Sequence, residues 1–158
     1  MHIFLRRLAR QLPEAVAHIH GSAEYPRLQG VVKLYDSGSG GSIVTLEVQG
    51  LPKNKPFLGV HIHNGESCTG NADDAFADAG MHLNLELLEH PFHTGDFPPL
   101  LNNSGYSWTA FYTERFTPDE VLGFPVIIHS DRDDLISQPA GNSGAKIGCG
   151  IIRPVKRL

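Results

Sequence analysis

From Ala15 onward the chain repeats one device: short runs in which apolar and polar side chains alternate, each closed by residues that turn the backbone. AVAHIHGS, LQGVVKLYDS, SIVTLEVQGL and PFLGVHIHNG follow one another over residues 15–65, with Gly38, Ser39, Gly40, Gly41 and Pro52 among the breaks. Period-two alternation sends every second side chain to the same face, so each run reads as an antiparallel strand with one buried side. The pattern lapses from about Gly65 to Gly105, a stretch rich in Gly, Asn, Asp, Pro and His, and returns in YSWTAFYTER, FPVIIHS and AKIGCGIIR. A polar loop, Ser130 to Gly144, separates the last two runs. Seven or eight strands, two long loops and almost no helix predict an all-β sandwich or barrel.

At 158 residues the chain fits one domain with one core. Residues 15–158 are assigned to it. The preceding segment, residues 1–14, has its apolar side chains interrupted by Arg6, Arg7 and Arg10 and reads as an N-terminal arm or a short helix ended by Pro13. It lacks the continuous apolar stretch of a secretory signal, and no apolar run is long enough to span a bilayer. The expectation from these segments is a cytoplasmic chain that does not engage a membrane. A formal charge of −4 with 13 Lys and Arg offers no basic stripe for phosphates, so no nucleic-acid partner is expected.

Nine histidines are the compositional outlier. His61 and His63 stand two apart in a strand, so their rings share a face while Ile62 turns to the core. A lone pair of this kind also fits two histidines on a polar strand face. His82, His90, His93 and Asp96 crowd the irregular stretch, and His129 ends a later strand. Imidazoles with one carboxylate are the ligand mix of zinc and copper sites. A long loop with little apolar content needs something to hold it, and a metal supplies that restraint; a solvated loop with incidental histidines is the alternative. Cys68 and Cys149 lack the CxxC spacing of a zinc ribbon or a thioredoxin motif, leaving one long-range disulfide or two unrelated buried thiols.

In GVHIHNGESCTG, DAGMHLN, HTGD, VIIHSDRDDL and GNSGAKIGCGII the chain resembles the copper/zinc superoxide dismutase family, in its bacterial type, over about residues 15–152. The resemblance implies an eight-stranded Greek-key β-barrel or sandwich, immunoglobulin-like, with two long functional loops. It implies conversion of superoxide to dioxygen and hydrogen peroxide at copper, with zinc beside it. His61, His63, His82 and His129 would hold copper, and His82, His90, His93 and Asp96 would hold zinc. His82 would bridge the two ions and carry a proton during turnover. Asp133 would hydrogen-bond a histidine of each site, and Cys68 and Cys149 would form the family's disulfide. That bond leaves a periplasmic or secreted location open beside the cytoplasmic one. A homodimer is compatible with the resemblance.

Two departures stand out. Lys146 occupies the position where the family has an arginine beside copper, keeping the charge and losing the multi-donor fork. The resemblance therefore implies a less efficient site in which Lys146 guides the anion. His90 lies closer to His93 than the family spacing, so a copper-only variant is one alternative. A catalytically weak or inactive copper storage or delivery protein is another.

Overall fold

The computed structural model describes residues 11–156, so most of the N-terminal segment, residues 1–10, lies outside the described residues. The chain enters the barrel where Glu14 N donates to Leu34 O at 2.8 Å. Among the described residues nine strands follow: β1 Ala15–Gly21, β2 Gln29–Asp36, β3 Ser42–Gln49, β4 Phe57–Leu58, β5 Val60–Ile62, β6 Leu100–Leu101, β7 Tyr106–Thr113, β8 Pro125–His129 and β9 Lys146–Pro154. Only Gly59 separates β4 from β5, so the two form one bent strand and the expected count of eight stands. β6 is the element the sequence pattern missed, because two residues are too short to show a period.

Seven strands make one curled antiparallel sheet in the order β5-β8-β9-β1-β2-β3-β7. β4 pairs with β6 in a second, two-stranded sheet. β4 runs into β5 across Gly59 and β6 leads by a short turn into β7, so the β4–β6 pair adjoins both edge strands of the large sheet along the chain. The alternation seen in sequence is the alternation of burial: along β1 Ala15, Ala17 and Ile19 are buried while His18 and His20 are exposed. The interior is filled by Leu34, Val44, Leu46, Leu58, Ile62, Leu100, Ile128 and Ile152 among others, with Phe97 set edge-on to Phe111 at 5.0 Å.

β5 and β8 depart from alternation, since every residue in both is buried. They are covered on the barrel side by the core and on the other side by the long loop, which folds back over them. Ile62 N donates to Gly95 O at 2.9 Å, Leu83 N to Ile62 O at 2.8 Å, and Gly95 N to Leu83 O at 2.8 Å. The backbone of β5 thus carries two loop segments as if they were strands, with bridges joining His61 to Asp96 and His63 to His82. Four ligand-type side chains are brought together by main-chain bonds alone.

The disulfide joins Cys68, in the first long loop, to Cys149 in β9, across 81 residues. Closing a loop of that length removes denatured-state entropy worth about 4.5 kcal/mol in the chain-entropy account. No helix among the described residues is long and apolar enough to cross a membrane.

Candidate metal centre

Two clusters of buried ligand-type side chains meet at one residue. His61, His63, His82 and His129 form the first; His82, His90, His93 and Asp96 form the second; within each, one ligand atom per residue lies within 4.8 Å of all the others. The seven ligand candidates read from the sequence are brought into these clusters, and His90 joins despite its short spacing from His93. Ligand atoms about 2.0–2.1 Å from a zinc ion stand roughly 3.3 Å apart in a tetrahedron.

The hydrogen bonds behind the rings decide which nitrogen faces inward. His61 Nε2 donates to Asp133 Oδ2 at 2.7 Å, leaving Nδ1 as the lone-pair atom. His63 Nδ1 donates to Gly80 O at 2.8 Å and His129 Nδ1 to Gly144 O at 3.1 Å, so both keep their lone pairs on Nε2. Those two Nε2 atoms are 3.2 Å apart. With the outer nitrogens protonated, two lone pairs face each other at contact distance, an arrangement that calls for a cation between them. The second cluster repeats the logic: His90 Nε2 donates to Asp133 Oδ1 at 2.9 Å, which turns the His90 Nδ1 lone pair toward Asp96 Oδ2 at 3.0 Å. His82 Nδ1 lies 2.8 Å from Asp96 Oδ1, and its other nitrogen points to the first cluster.

Buried polar atoms are nearly always paired, so unpaired ones need an explanation. Among the described residues they are His61 Nδ1, His82 Nε2, His90 Nδ1, His93 Nδ1 and Ser107 Oγ. Four of the five are the inward nitrogens of the two clusters. The donor set, imidazoles with a single carboxylate, fits copper and zinc.

Electrostatics keep these rings ready. Burial, reinforced by the neighbouring imidazoles of His82 and His129, holds His61 well below the ordinary histidine pKa. Burial and the nearby His129 lower His63 to about 2, and burial lowers His129 to about 4 against the opposing hydrogen bond to Gly144. Neutral imidazole is the ligating form. Burial pushes Asp96 up, but the His82 hydrogen bond and the surrounding imidazoles outweigh it and the carboxyl lies below its usual range.

Asp133 ties the clusters from behind by accepting from His61 and His90 at once, and Leu135 N adds a third bond at 2.7 Å. Gly141 lies against this carboxylate at φ 64°, where an added Cβ would stand 1.9 Å from Asp133 Oδ1 and 2.8 Å from His90 Nε2. Only glycine fits there.

Three functional contacts were not legible in the sequence. Gln138, in the second long loop, clamps the His90 backbone at two points: His90 N donates to Gln138 Oε1 at 3.0 Å and Gln138 Nε2 donates to His90 O at 2.7 Å. On the other side Arg115 Nη1 reaches the carbonyls of Pro91, His93 and Asp96 at 2.9, 3.1 and 3.2 Å. The third is an ion pair between Lys146 and Asp74. Lys146 and Asp74 line a cavity of about 760 Å³ whose wall includes His63, His82 and His129. Gln and Arg in polar loops carry no periodic or spacing signal, so nothing marked them beforehand.

Fold and site together define a β-barrel metalloprotein with two adjoining imidazole-rich centres that share one histidine. The family model described as copper/zinc superoxide dismutase (SODC) matches residues 28–152. The chain belongs to the copper/zinc superoxide dismutase family. It is 32% identical over 133 residues to the superoxide dismutase (Cu-Zn) of Deinococcus radiodurans, covering 73% of this chain and 72% of that one. It is 25% identical over 142 residues to the extracellular superoxide dismutase (Cu-Zn) of Oryctolagus cuniculus, which covers 82% of this chain and 57% of the rabbit protein. Among solved structures, a double mutant of a SOD-like protein from Bacillus subtilis superposes with a TM-score of 0.73 at 27% identity, covering 86% of this chain and 95% of that one. Another structure of a SOD-like protein from Bacillus subtilis gives 0.70 at 24% identity, covering 86% and 96%, and bears on the fold alone.

Proposed function

We propose that this protein is a superoxide dismutase: two superoxide anions and two protons yield one dioxygen and one hydrogen peroxide. The observation that carries the reading is the pair of facing lone pairs on His63 Nε2 and His129 Nε2, 3.2 Å apart at the wall of an open cavity. In this reading His61, His63, His82 and His129 hold copper, and His82, His90, His93 and Asp96 hold zinc. Copper, when bound, supplies one-electron chemistry between two oxidation states, which zinc lacks.

The chain's own residues do the rest. His82 has one nitrogen toward each cluster, so its Nε2, on the cavity side, would be the atom that holds a proton and gives it to the reduced product. In the metal-free protein Asp96 accepts from His82 Nδ1 at 2.8 Å and so orients the ring, the bond that zinc would replace if both atoms held it. Asp133 keeps His61 and His90 in one tautomer, so neither ring turns its proton inward. Lys146 lines the approach and draws a small anion toward the histidines. Its lysine head group lacks the planar fork of an arginine, which makes the approach weaker than in relatives carrying the arginine.

A second reading, a family member that binds copper without turnover, is favoured by one observation: the ammonium of Lys146 is already paired with Asp74. Superoxide consumption measured on copper-loaded, zinc-loaded protein separates the two. Turnover that rises in proportion to copper content supports the dismutase; full copper content without turnover supports the second reading.

A further inference from the structure

The cavity over His63, His82 and His129 has a single lysine or arginine in its wall, Lys146, and three carboxylates, Glu24, Asp73 and Asp74. Lys146 Nζ is bonded to Asp74 Oδ2. Both partners are anchored. Lys146 opens β9 in register with His129. Asp74 sits in a compact turn: its Oδ1 accepts from Phe76 N at 3.0 Å, its carbonyl accepts from Asn71 N at 2.9 Å, and Asn71 Oδ1 accepts from Asp73 N and Asp74 N at 2.9 and 3.0 Å. The turn belongs to the loop that the Cys68–Cys149 disulfide pins to β9. The carboxylate is thus presented to the ammonium by structure on both sides.

An ammonium held by a carboxylate offers an incoming anion little net charge. We propose that Asp74 is a specificity-determining residue of this cavity: by pairing with Lys146 it withdraws the one ammonium in the wall from small anions and sets how strongly they are drawn toward the histidines. The inference rests on the proposed function only for the identity of the anion, since the pair would restrain any small monoanion.

The test uses azide as probe and the variants Asp74→Asn, Asp74→Glu, Lys146→Gln and the double variant Asp74→Asn with Lys146→Gln. In metal-free protein, azide binding is followed through the backbone amide shifts of Gly144, Ala145 and Lys146; in copper-loaded protein, through the visible band. Asp74→Asn is expected to tighten azide about three- to fivefold, the scale of one partly exposed charge pair, and to make binding fall more steeply with salt. Asp74→Glu keeps the wild-type affinity, and adding Lys146→Gln to Asp74→Asn abolishes the gain. Wild-type affinity in Asp74→Asn, or a gain that survives Lys146→Gln, overturns the proposal. Because the metal-free arm needs neither copper nor turnover, a loaded protein without activity defeats the dismutase reading and leaves this inference standing. Altered turnover with unchanged azide affinity does the reverse.

Discussion

His61 Nε2 and Asp133 Oδ2 lie 2.7 Å apart with both side chains fully buried. That single bond assigns the His61 proton to the outer nitrogen and leaves Nδ1 facing the other imidazoles. The second oxygen of the same carboxylate does this for His90. Asp133→Asn keeps the shape but replaces one acceptor with a donor, so one ring must flip or lose its partner. Affinity for both ions is expected to drop about 10- to 100-fold, measured by competition with chelators. A loss confined to one ion contradicts the shared role.

Gly141 is the next point of strain. An alanine there meets Asp133 Oδ1 at 1.9 Å in a backbone conformation that side chains avoid. Gly141→Ala is expected to destabilise the metal-free protein by about 2–4 kcal/mol and to weaken zinc more than copper, since His90 Nε2 is the other contact. Thermal melts with and without each ion check both parts.

Gln138 holds the His90 backbone by two hydrogen bonds from a separate loop. Gln138→Ala is expected to lower zinc affinity roughly tenfold with copper affinity changed far less. Equal losses for the two ions would show that the clamp supports the whole site and not the His90 side.

The second loop has its own acid limit. Hydrogen bonds from the Ser137 hydroxyl, the backbone of Ser137 and Ile136 and the Asn142 amide lower Asp134 to about 2. Its folded pKa lies below the unfolded value, so its contribution is complete above about pH 4. It fades as pH falls toward about 2. Amide exchange in residues 134–142 should quicken over that window in the wild type, and Asp134→Asn should show quick exchange already at pH 5. Identical profiles in the two proteins would contradict it.

Much of this architecture could be read from the chain, and the exceptions share a cause. The tripeptide His-Ile-His occurs twice, at residues 18–20 and 61–63. In β1 both histidines are exposed; in and after β5 both are buried among other ligand-type side chains. Local alternation is the same, so it reports the strand and not the site. What separates the two is the loop that laces onto β5, a long-range event. That His82, His90, His93 and Asp96 would group together was legible because residue type carries coordination chemistry. That His90 belongs was not settled by its spacing; its bond to Asp133, 43 residues away, supplies the reason. Gln138, Arg115 and Asp74 act through backbone carbonyls, an amide or an ion pair, contacts that any polar loop residue can make and that only folding selects.

The account depends on one imidazole serving two centres. Its most direct test is the copper and zinc content of His82→Ala and His129→Ala, loaded side by side under identical conditions. His129→Ala should lose copper and retain zinc, whereas His82→Ala should be depleted in both. The same metal contents in the two variants would contradict a shared His82.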